Sequence, residues 1–393
     1  MIGSRVVVIG GGFAGVSCIR TLRKSSSSLR LTLVDPARES LFRPLLPDVI
    51  AGKIALERLL LPLDRFCARN NAAFVPEAAG SIAGGEILLA SGRRIPFDHL
   101  VLSCGADPAF YGNDAARKSA FTLYSASDAS RLAERTDRVI AAGRPHTFVV
   151  VGGGYTGLET ATALVYRIRR SLPPDRRSPF SVRIVELAPR ILGRLPDRFA
   201  LPAGRETLKM GIEIITSAKI GGISPEEMEI NGEKIRNFTL LWSAGVGAAG
   251  FARAIDSPRD KQGRLLAGPD LRLPGRENVY ALGDCSSFPA GTAGQEALRM
   301  AVQFSWAQGA AAGRNILRRM RGDPALPYRP RDLGYLIPLA SWKAWGEALG
   351  IPVGGRLGAV LHYAMCVQRT HLFSGRLGIV SDLFRALFSP TLW

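Results

Sequence analysis

Two glycine-rich loops constrain this chain more than any other feature. The first, Gly10-Gly11-Gly12-Phe13-Ala14-Gly15, follows a short aliphatic run at residues 6–9. A helix-forming stretch to about Arg23 comes next, then a second apolar run, 29–34, ending on Asp35. A continuous Val/Ile run of that length suits a strand covered on both faces of a parallel sheet. In the order strand, Gly-x-Gly-x-x-Gly, helix, strand, acid, each glycine has its own task. One makes the tight turn, one lets the backbone approach a pyrophosphate, and one lets the helix lie close on the strand. The helix N-terminus supplies free N–H groups and the positive end of a dipole to the phosphates. Asp35, 20 residues after Gly15, is positioned to accept a hydrogen bond from a ribose hydroxyl.

The second loop repeats the pattern. Residues 147–151 form a strand, Gly152-Gly153-Gly154-Tyr155-Thr156-Gly157 the turn, and an apolar helix runs on through Leu164. A charged, Pro-bearing insert at 172–180 precedes a strand at 181–185 that ends on Glu186. The acid stands 29 residues after Gly157, and the insert accounts for the longer spacing. A carboxylate there repels a 2′-phosphate and favours NADH over NADPH, with Arg183 and Arg190 as the nearby basic residues that oppose this. Two such units mean two nucleotides, or one nucleotide and a remnant. Between and after the loops, residues 100–106 and 279–284 read as strands ending at Gly105 and at Gly283-Asp284, with a helix expected from about Gly294.

At 393 residues, 47% hydrophobic and 21% charged, the chain is too long for one core and too apolar to be disordered. Lys and Arg number 51 against 33 Asp and Glu, a formal charge of +18. Phosphate polymers, acidic proteins and anionic membranes all suit that sign. The charge is dispersed and no block of five or six like charges occurs, so nucleic acid is not an expected partner. Five cysteines at 18, 67, 104, 285 and 366 contain no Cys-x-x-Cys pair, which points to a reducing compartment and small buried thiols. Histidines 99, 146, 362 and 371 have no metal-site spacing. The buried strand so near the start leaves no room for a secretory leader, and no run of about 18 apolar residues suggests a membrane span.

These motifs make the chain similar to the flavoproteins with two dinucleotide-binding domains, and within them it resembles the type II NADH dehydrogenases. The resemblance rests on both loops with their acids, on Leu41-Phe42-Arg43-Pro44-Leu45-Leu46, and on Leu102-Ser103-Cys104-Gly105-Ala106. Leu158-Glu159, Trp242-Ser243-Ala244-Gly245-Val246, Gly283-Asp284 and Gln308-Gly309 continue it. It implies an α/β fold with two Rossmann-like domains, for FAD and for NADH, and a C-terminal, amphipathic helical, membrane-associating region. FAD would be held by Gly10, Gly12, Phe13, Ala14, Gly15, Asp35, Arg43, Gly105, Gly283 and Asp284. NADH would be held by Gly152, Gly154, Gly157 and Glu186, with Ala244 and Gly245 leaving room for the nicotinamide. Glu159 would lie near the reacting rings, the alternative being a carboxylate that complements the helix dipole. Gln303 survives from the family's Ala-Gln-x-Ala-x-Gln run, whereas Ser305, Ala307 and Pro47 replace its usual Ala, Gln and Tyr. These departures fall on the quinone site and spare both nucleotide sites.

The expected domains are 1–110 and 270–325 for FAD, 111–269 for NAD(H) and 326–393 for the membrane. Residues 311–393 carry 11 basic and 4 acidic residues. Trp342, Trp345 and Trp393 lie there, with helices expected at 357–367 and 376–388. In the last, Leu377, Ile379, Val380, Leu383, Phe384, Leu387 and Phe388 make a broad apolar face, with Arg376, Ser381, Asp382 and Arg385 opposite. The expected activity is oxidation of NADH through FAD to a lipid quinone, without proton pumping, by a peripheral protein on the cytoplasmic face of the cell membrane. An anionic membrane surface is the expected partner, and a homodimer is left open. The alternatives are a soluble NADH-dependent reductase of an acidic, ferredoxin-like protein and a non-catalytic NADH-sensing interaction protein.

Overall fold

A computed structural model describes residues 3–289, 297–370 and 373–388. The chain forms two compact units. The first comprises Met1–Ser40, Leu61–Asp107 and Val246–Asp332; the second comprises Leu41–Leu60, Pro108–Gly245 and Leu333–Trp393. Packing explains where these differ from the boundaries drawn from sequence. Ala252, Ile255 and Leu265 enter the core of the first unit, and the helix Leu46–Ile50 packs on the helix Tyr155–Ser171 of the second.

In the first unit a parallel sheet has the strand order Val279–Ala281, His99–Leu102, Arg5–Ile9, Arg30–Val34, Ala72–Val75. Ile9 stands beside both Leu102 and Val34, so the chain leaves the sheet at Gly10 between strands on either side. That is the switch point at which open α/β sheets hold ligands. Val7, Val34, Leu100, Leu102 and Ala281 fill one face of the sheet together with Ile87 and Leu89 of an antiparallel three-stranded sheet. On the helical side, Phe13–Ser25 lies along Val302–Met320. Small residues permit the approach: a Cβ on Gly309 would collide with the carbonyl of Ala14 and meet Ser17 Cβ at 2.8 Å. The Ser17 hydroxyl also donates to the Trp306 carbonyl at 2.8 Å. Gly294, from which a helix is expected, lies outside the described residues; 297–301 are not helical, with Ala297 bridging to Pro289, and the helix begins only at Val302.

The second unit repeats the plan with the order Glu213–Ile215, Phe180–Val185, His146–Val151, Phe238–Trp242. Val151 stands beside Val185 and Trp242, which puts Gly152 at an equivalent exit. The helix Tyr155–Ser171 runs two turns beyond the expected Leu164, with Leu164, Val165 and Ile168 still buried. The C-terminal part opens with an antiparallel sheet, Gly334–Leu339, Lys343–Ala348 and Ile351–Val353, and only then turns helical. Trp342 and Trp345 do not lie in the helical end expected from sequence. Trp342 instead sits in the sheet's first turn, and Trp345 within its middle strand. Trp393 and His371 lie outside the described residues.

Helices Gly355–Arg369 and Phe373–Leu387 follow. The apolar residues of the last one divide between two faces. Ile379, Leu383 and Ala386 are buried, whereas Leu377, Val380, Phe384, Leu387 and Phe388 are exposed, as are Leu357 and Val360 of the preceding helix. Asp382 anchors the last helix by accepting from the Ala55 amide at 3.2 Å and pairing with Arg58 at 3.6 Å. Among the described residues no helix is long and apolar enough to cross a membrane.

The close contact between the two helices of the first unit makes a direct prediction. Gly309→Ala forces apart the Ala14 and Gly309 backbones, which cannot yield as a side chain would, and should destabilise the protein by about 1–3 kcal/mol in urea unfolding.

Candidate nucleotide sites and a buried carboxyl

Both glycine loops close in the same way. In the first, the Asp35 carboxylate accepts from the Gly11 amide at 2.6 Å and from the Ala37 amide at 2.7 Å. In the second, Glu186 accepts from the Gly153 amide at 2.6 Å and from Ala188 at 2.8 Å. A serine at the end of the neighbouring strand completes each loop. Ser103 Oγ donates to the Ile9 and Gly10 carbonyls at 2.9 and 3.0 Å, and Ser243 Oγ donates to Val151 at 3.1 Å. Gly10 and Gly152 have φ of +100° and +105°, and a Cβ on either would run into the backbone of that serine. The expected role of glycine at these positions therefore has a definite steric cause.

The helices that start in the loops have no side chain closing their N-termini. Gly12 and Gly154 are their N-caps, neither helix has a capping side chain or an acid in its first turn, and a Cβ on either glycine would meet nothing within 4 Å. The helix Ala126–Ala142 shows what a self-sufficient start looks like here, with Ser125 and Asp128 forming a capping box. Backbone N–H groups at the positive end of a helix that no side chain covers suit a pyrophosphate. These cradles fit dinucleotides.

The remaining expected residues fall into two groups. In the first unit, Phe13 and Ala14 are buried at the start of the loop helix, and Gly15 lies against the Gly10 carbonyl. Gly105 and Gly283 adopt φ of +76° and +69°. Gln308 accepts from the Gly283 amide at 2.6 Å, and Ser305 Oγ donates to Asp284 at 3.4 Å. Gln303 donates to Asp332 at 3.0 Å, beside the Arg299–Asp332 ion pair. In the second unit, Gly157 lies against Gly152, and Gly245 has φ +143° with the Tyr111 hydroxyl beside it. Arg43, expected on the flavin, belongs to this unit: it stacks over Tyr124 at 4.3 Å and donates to the Tyr124 carbonyl at 3.0 Å. Arg183 pairs with Glu213 and Glu233, and Arg190 with Asp197, so both point their charge at carboxylates of the protein.

Glu159 lies past the first turn of its helix and is not the dipole-complementing carboxylate of the alternative reading. Burial, then the negative charge of Asp48, hold its carboxyl well above the usual range and favour the neutral acid. It shares a cavity of about 10 Å³ with Asp48 and Tyr363, walled by Pro44, Pro47, Ala163, Pro338, Leu339 and Ala340. Asp48, Tyr363 and the wholly buried Lys53 escaped the sequence reading, because none belongs to a motif. The one hint was a pair of charges inside the apolar stretch 45–54. The Cys104 and Cys285 thiols are free, Cys285 is buried, and its Sγ lies 3.2 Å from the Leu282 carbonyl.

The raised Glu159 carboxyl predicts how stability depends on pH. Above about pH 4.5 the unfolded chain releases this proton while the folded chain keeps it, so the group's contribution to stability falls as pH rises. Glu159→Gln removes that slope. Urea unfolding from pH 5 to 7.5 should show the wild type losing stability relative to the variant.

Comparison with known proteins agrees with this geometry. The chain is 29% identical over 317 residues to a type II NADH:quinone oxidoreductase of Mycobacterium tuberculosis, covering 72% of this chain and 67% of that one. It is 26% identical over 376 residues to a type II NADH:quinone oxidoreductase of Staphylococcus aureus, covering 91% and 92%. The fold matches NDH2 from Plasmodium falciparum, solved with NADH, at a TM-score of 0.86 and 14% identity over 99% of this chain and 100% of that chain. It also matches the sulfide:quinone oxidoreductase of Aquifex aeolicus at 0.79 and 18% identity, over 98% and 94%. The expected α/β fold and the resemblance to type II NADH dehydrogenases are borne out. The profile described as pyridine nucleotide-disulphide oxidoreductase matches residues 4–309, most of the chain, and this protein, an oxidoreductase, belongs to that family.

Proposed function

We propose that this protein is an FAD-dependent NADH:quinone oxidoreductase that works at a membrane surface without pumping protons. The observation that carries the reading is the duplicated loop: two exits from two parallel sheets, each with an uncapped helix start and a strand-end carboxylate that bonds the loop amide. The names of the relatives from Mycobacterium tuberculosis and Staphylococcus aureus supply the pairing of NADH with quinone. Gly10, Gly12, Gly15 and Asp35 hold FAD, with Phe13, Ala14, Gly105, Gly283 and Asp284 around it. Gly152, Gly154, Gly157 and Glu186 hold NADH, and the carboxylate partners of Arg183 and Arg190 support NADH over NADPH.

FAD, when bound, accepts a hydride from NADH and passes two electrons on. The chain's own contribution is to bind, orient and manage one proton. The helix starts bind the pyrophosphates, and the two acids select the riboses. Gln308 fixes the Gly283 turn through its amide, which sets the direction of Asp284. Ala244 and Gly245 would present no bulk to a nicotinamide, and the Tyr111 hydroxyl lies beside them. Gln303 is proposed on the quinone side, oriented by Asp332. Glu159, half-buried and held neutral, is the group that gives up a proton.

The exposed apolar stripe of the last helix supports residence on a membrane. Leu377, Val380, Phe384 and Phe388 follow helical spacing on the outer face, with Arg376 and Arg385 beside them. Such a face inserts its side chains while arginines meet anionic headgroups. This accounts for the basic excess in the C-terminal part better than the cofactors do, whose phosphates the backbone satisfies.

Steady-state oxidation of NADH with a soluble ubiquinone or menaquinone analogue is the primary test, and turnover with NADH should exceed that with NADPH. Reduction of the bound flavin by NADH with no quinone-dependent turnover would remove the quinone from the reading. Phe384→Asp should weaken sedimentation with phosphatidylglycerol-containing vesicles about tenfold or more, the loss of one buried aromatic. Equal sedimentation of variant and wild type would show that this face does not insert.

A further inference from the structure

Reduction of a quinone by NADH balances as NADH + H⁺ + quinone → NAD⁺ + quinol. Two electrons and one proton leave NADH together as hydride, and the second proton comes from water. We propose that Lys53, Tyr363 and Asp48 form a proton relay that supplies Glu159 with this second proton. The inference rests on the NADH:quinone reading and deepens it by naming the residues behind the proton donor.

The geometry has a direction. Lys53 Nζ donates to Tyr363 Oη at 3.3 Å, and Tyr363 Oη donates to Asp48 Oδ1 at 2.7 Å. The direct Lys53–Asp48 separation is longer, 3.6 Å. The shortest bonds therefore pass through the tyrosine hydroxyl, which accepts from the ammonium and donates to the carboxyl. Beyond Asp48 lies the cavity of about 10 Å³ that it shares with Tyr363 and Glu159. That is about the space one water needs, and the three polar groups meet its need for partners in a wall otherwise made of proline, alanine and leucine.

Lys53 is built as a store for a proton. Its side chain is 0% exposed and lies among rings, 4.1 Å from the centroid of Trp342, 4.7 Å from Tyr166 and 5.8 Å from Tyr363. Ring faces attract the ammonium without fixing it as a second carboxylate would. Burial pushes it down to about 8, against the opposing pull of Asp48, so it gives up a proton more readily than a surface lysine. The other ionisable groups around it are accounted for. His362 is pushed down to about 4 by burial and stays neutral, and the Cys366 and Tyr363 hydroxyl or thiol protons are held by burial. Tyr166, from the Glu159 helix, donates to the Ala386 carbonyl. Arg170 and Arg369, at the ends of the two flanking helices, act on Tyr166 and Cys366.

The transfer balances. The Glu159 O–H bond breaks as the quinol O–H forms, and Glu159 regains a proton through the cavity from Asp48. Asp48 takes it from Tyr363 Oη, and Tyr363 takes one from Lys53. The net donor is the Lys53 ammonium, and its proton is restored from water after the quinol has left, so each turnover consumes one proton from solvent.

Lys53→Met and Tyr363→Phe test this, with turnover to ferricyanide, which takes electrons and no proton, as the reference within each variant. In both, the quinone-to-ferricyanide turnover ratio should fall at least about tenfold. The wild-type quinone rate should decline above about pH 8, and that inflection should vanish in Lys53→Met. Infrared titration of the resting protein supplies a readout without turnover. The protonated-carboxyl band lost in Glu159→Gln should titrate at higher pH in Lys53→Met, which lacks the nearby cation. Tyr363→Phe removes only a hydroxyl and carries the test if Lys53→Met does not fold. An unchanged ratio, pH profile and band position in folded variants would overturn the relay and leave the function standing. A wild type that turns over ferricyanide but no quinone would overturn both.

Discussion

A carboxylate that grips the glycine loop beside it is the interaction on which both halves of this protein depend. Asp35 holds the Gly11 amide, and Glu186 holds the Gly153 amide. Each acid ends the strand next to its loop, so the grip ties the loop to the sheet. Charge-assisted bonds of this kind are about twice as strong as neutral ones. With the loop fixed, the first glycine turns tightly under the adjoining serine and the helix begins without a capping side chain. Each carboxylate also accepts from the amide two residues on, so one side chain holds both the loop and the turn that follows the strand.

Close backbone packing carries that precision into the rest of the first unit. The helix Phe13–Ser25 approaches Val302–Met320 because Gly309 and Gly313 face Ala14, Ser17 and Thr21. The second helix then brings Gln308 to the Gly283 amide and Ser305 to Asp284. A stripe of small residues thus positions polar groups that lie almost 300 residues from the first loop in sequence. In the second unit the equivalent task falls to charge. Lys53, Asp48 and Tyr363 join the short helix Leu46–Ile50 to the C-terminal helix Gly355–Arg369. A buried pair of this kind is weak evidence for stability, since desolvation offsets much of the attraction. Its place on the cavity that Glu159 also lines gives it a chemical meaning instead.

Both nucleotide loops were legible in the amino-acid sequence because their requirements are local. Steric exclusion at Gly10 and Gly152, helix starts without caps, and acids at strand ends follow from residue type and short spacing. The expected helices at 357–367 and 376–388 were legible for the same reason, as a periodic pattern. What could not be read was the division of that last pattern. Ile379 and Leu383 turn inward while Leu377, Val380 and Phe384 remain outside, and only the packing partners decide between these faces. The strands around Trp342 and Trp345 were missed because their ladder depends on pairing between segments, not on alternation within one.

By itself, the sequence determined two dinucleotide folds, the positions of their glycines and acids, and the family to which they belong. Tertiary structure alone decided that residues 41–60 join the second unit, that Arg43 stacks on Tyr124, and that Asp48 and Lys53 meet Tyr363 more than 300 residues away. The physical reason is the range of the forces involved. Backbone sterics and helix ends act over a few residues and leave a mark in local sequence. The ionisation of Glu159 and Lys53 depends on how completely water is removed and which charges remain nearby, and folding settles both.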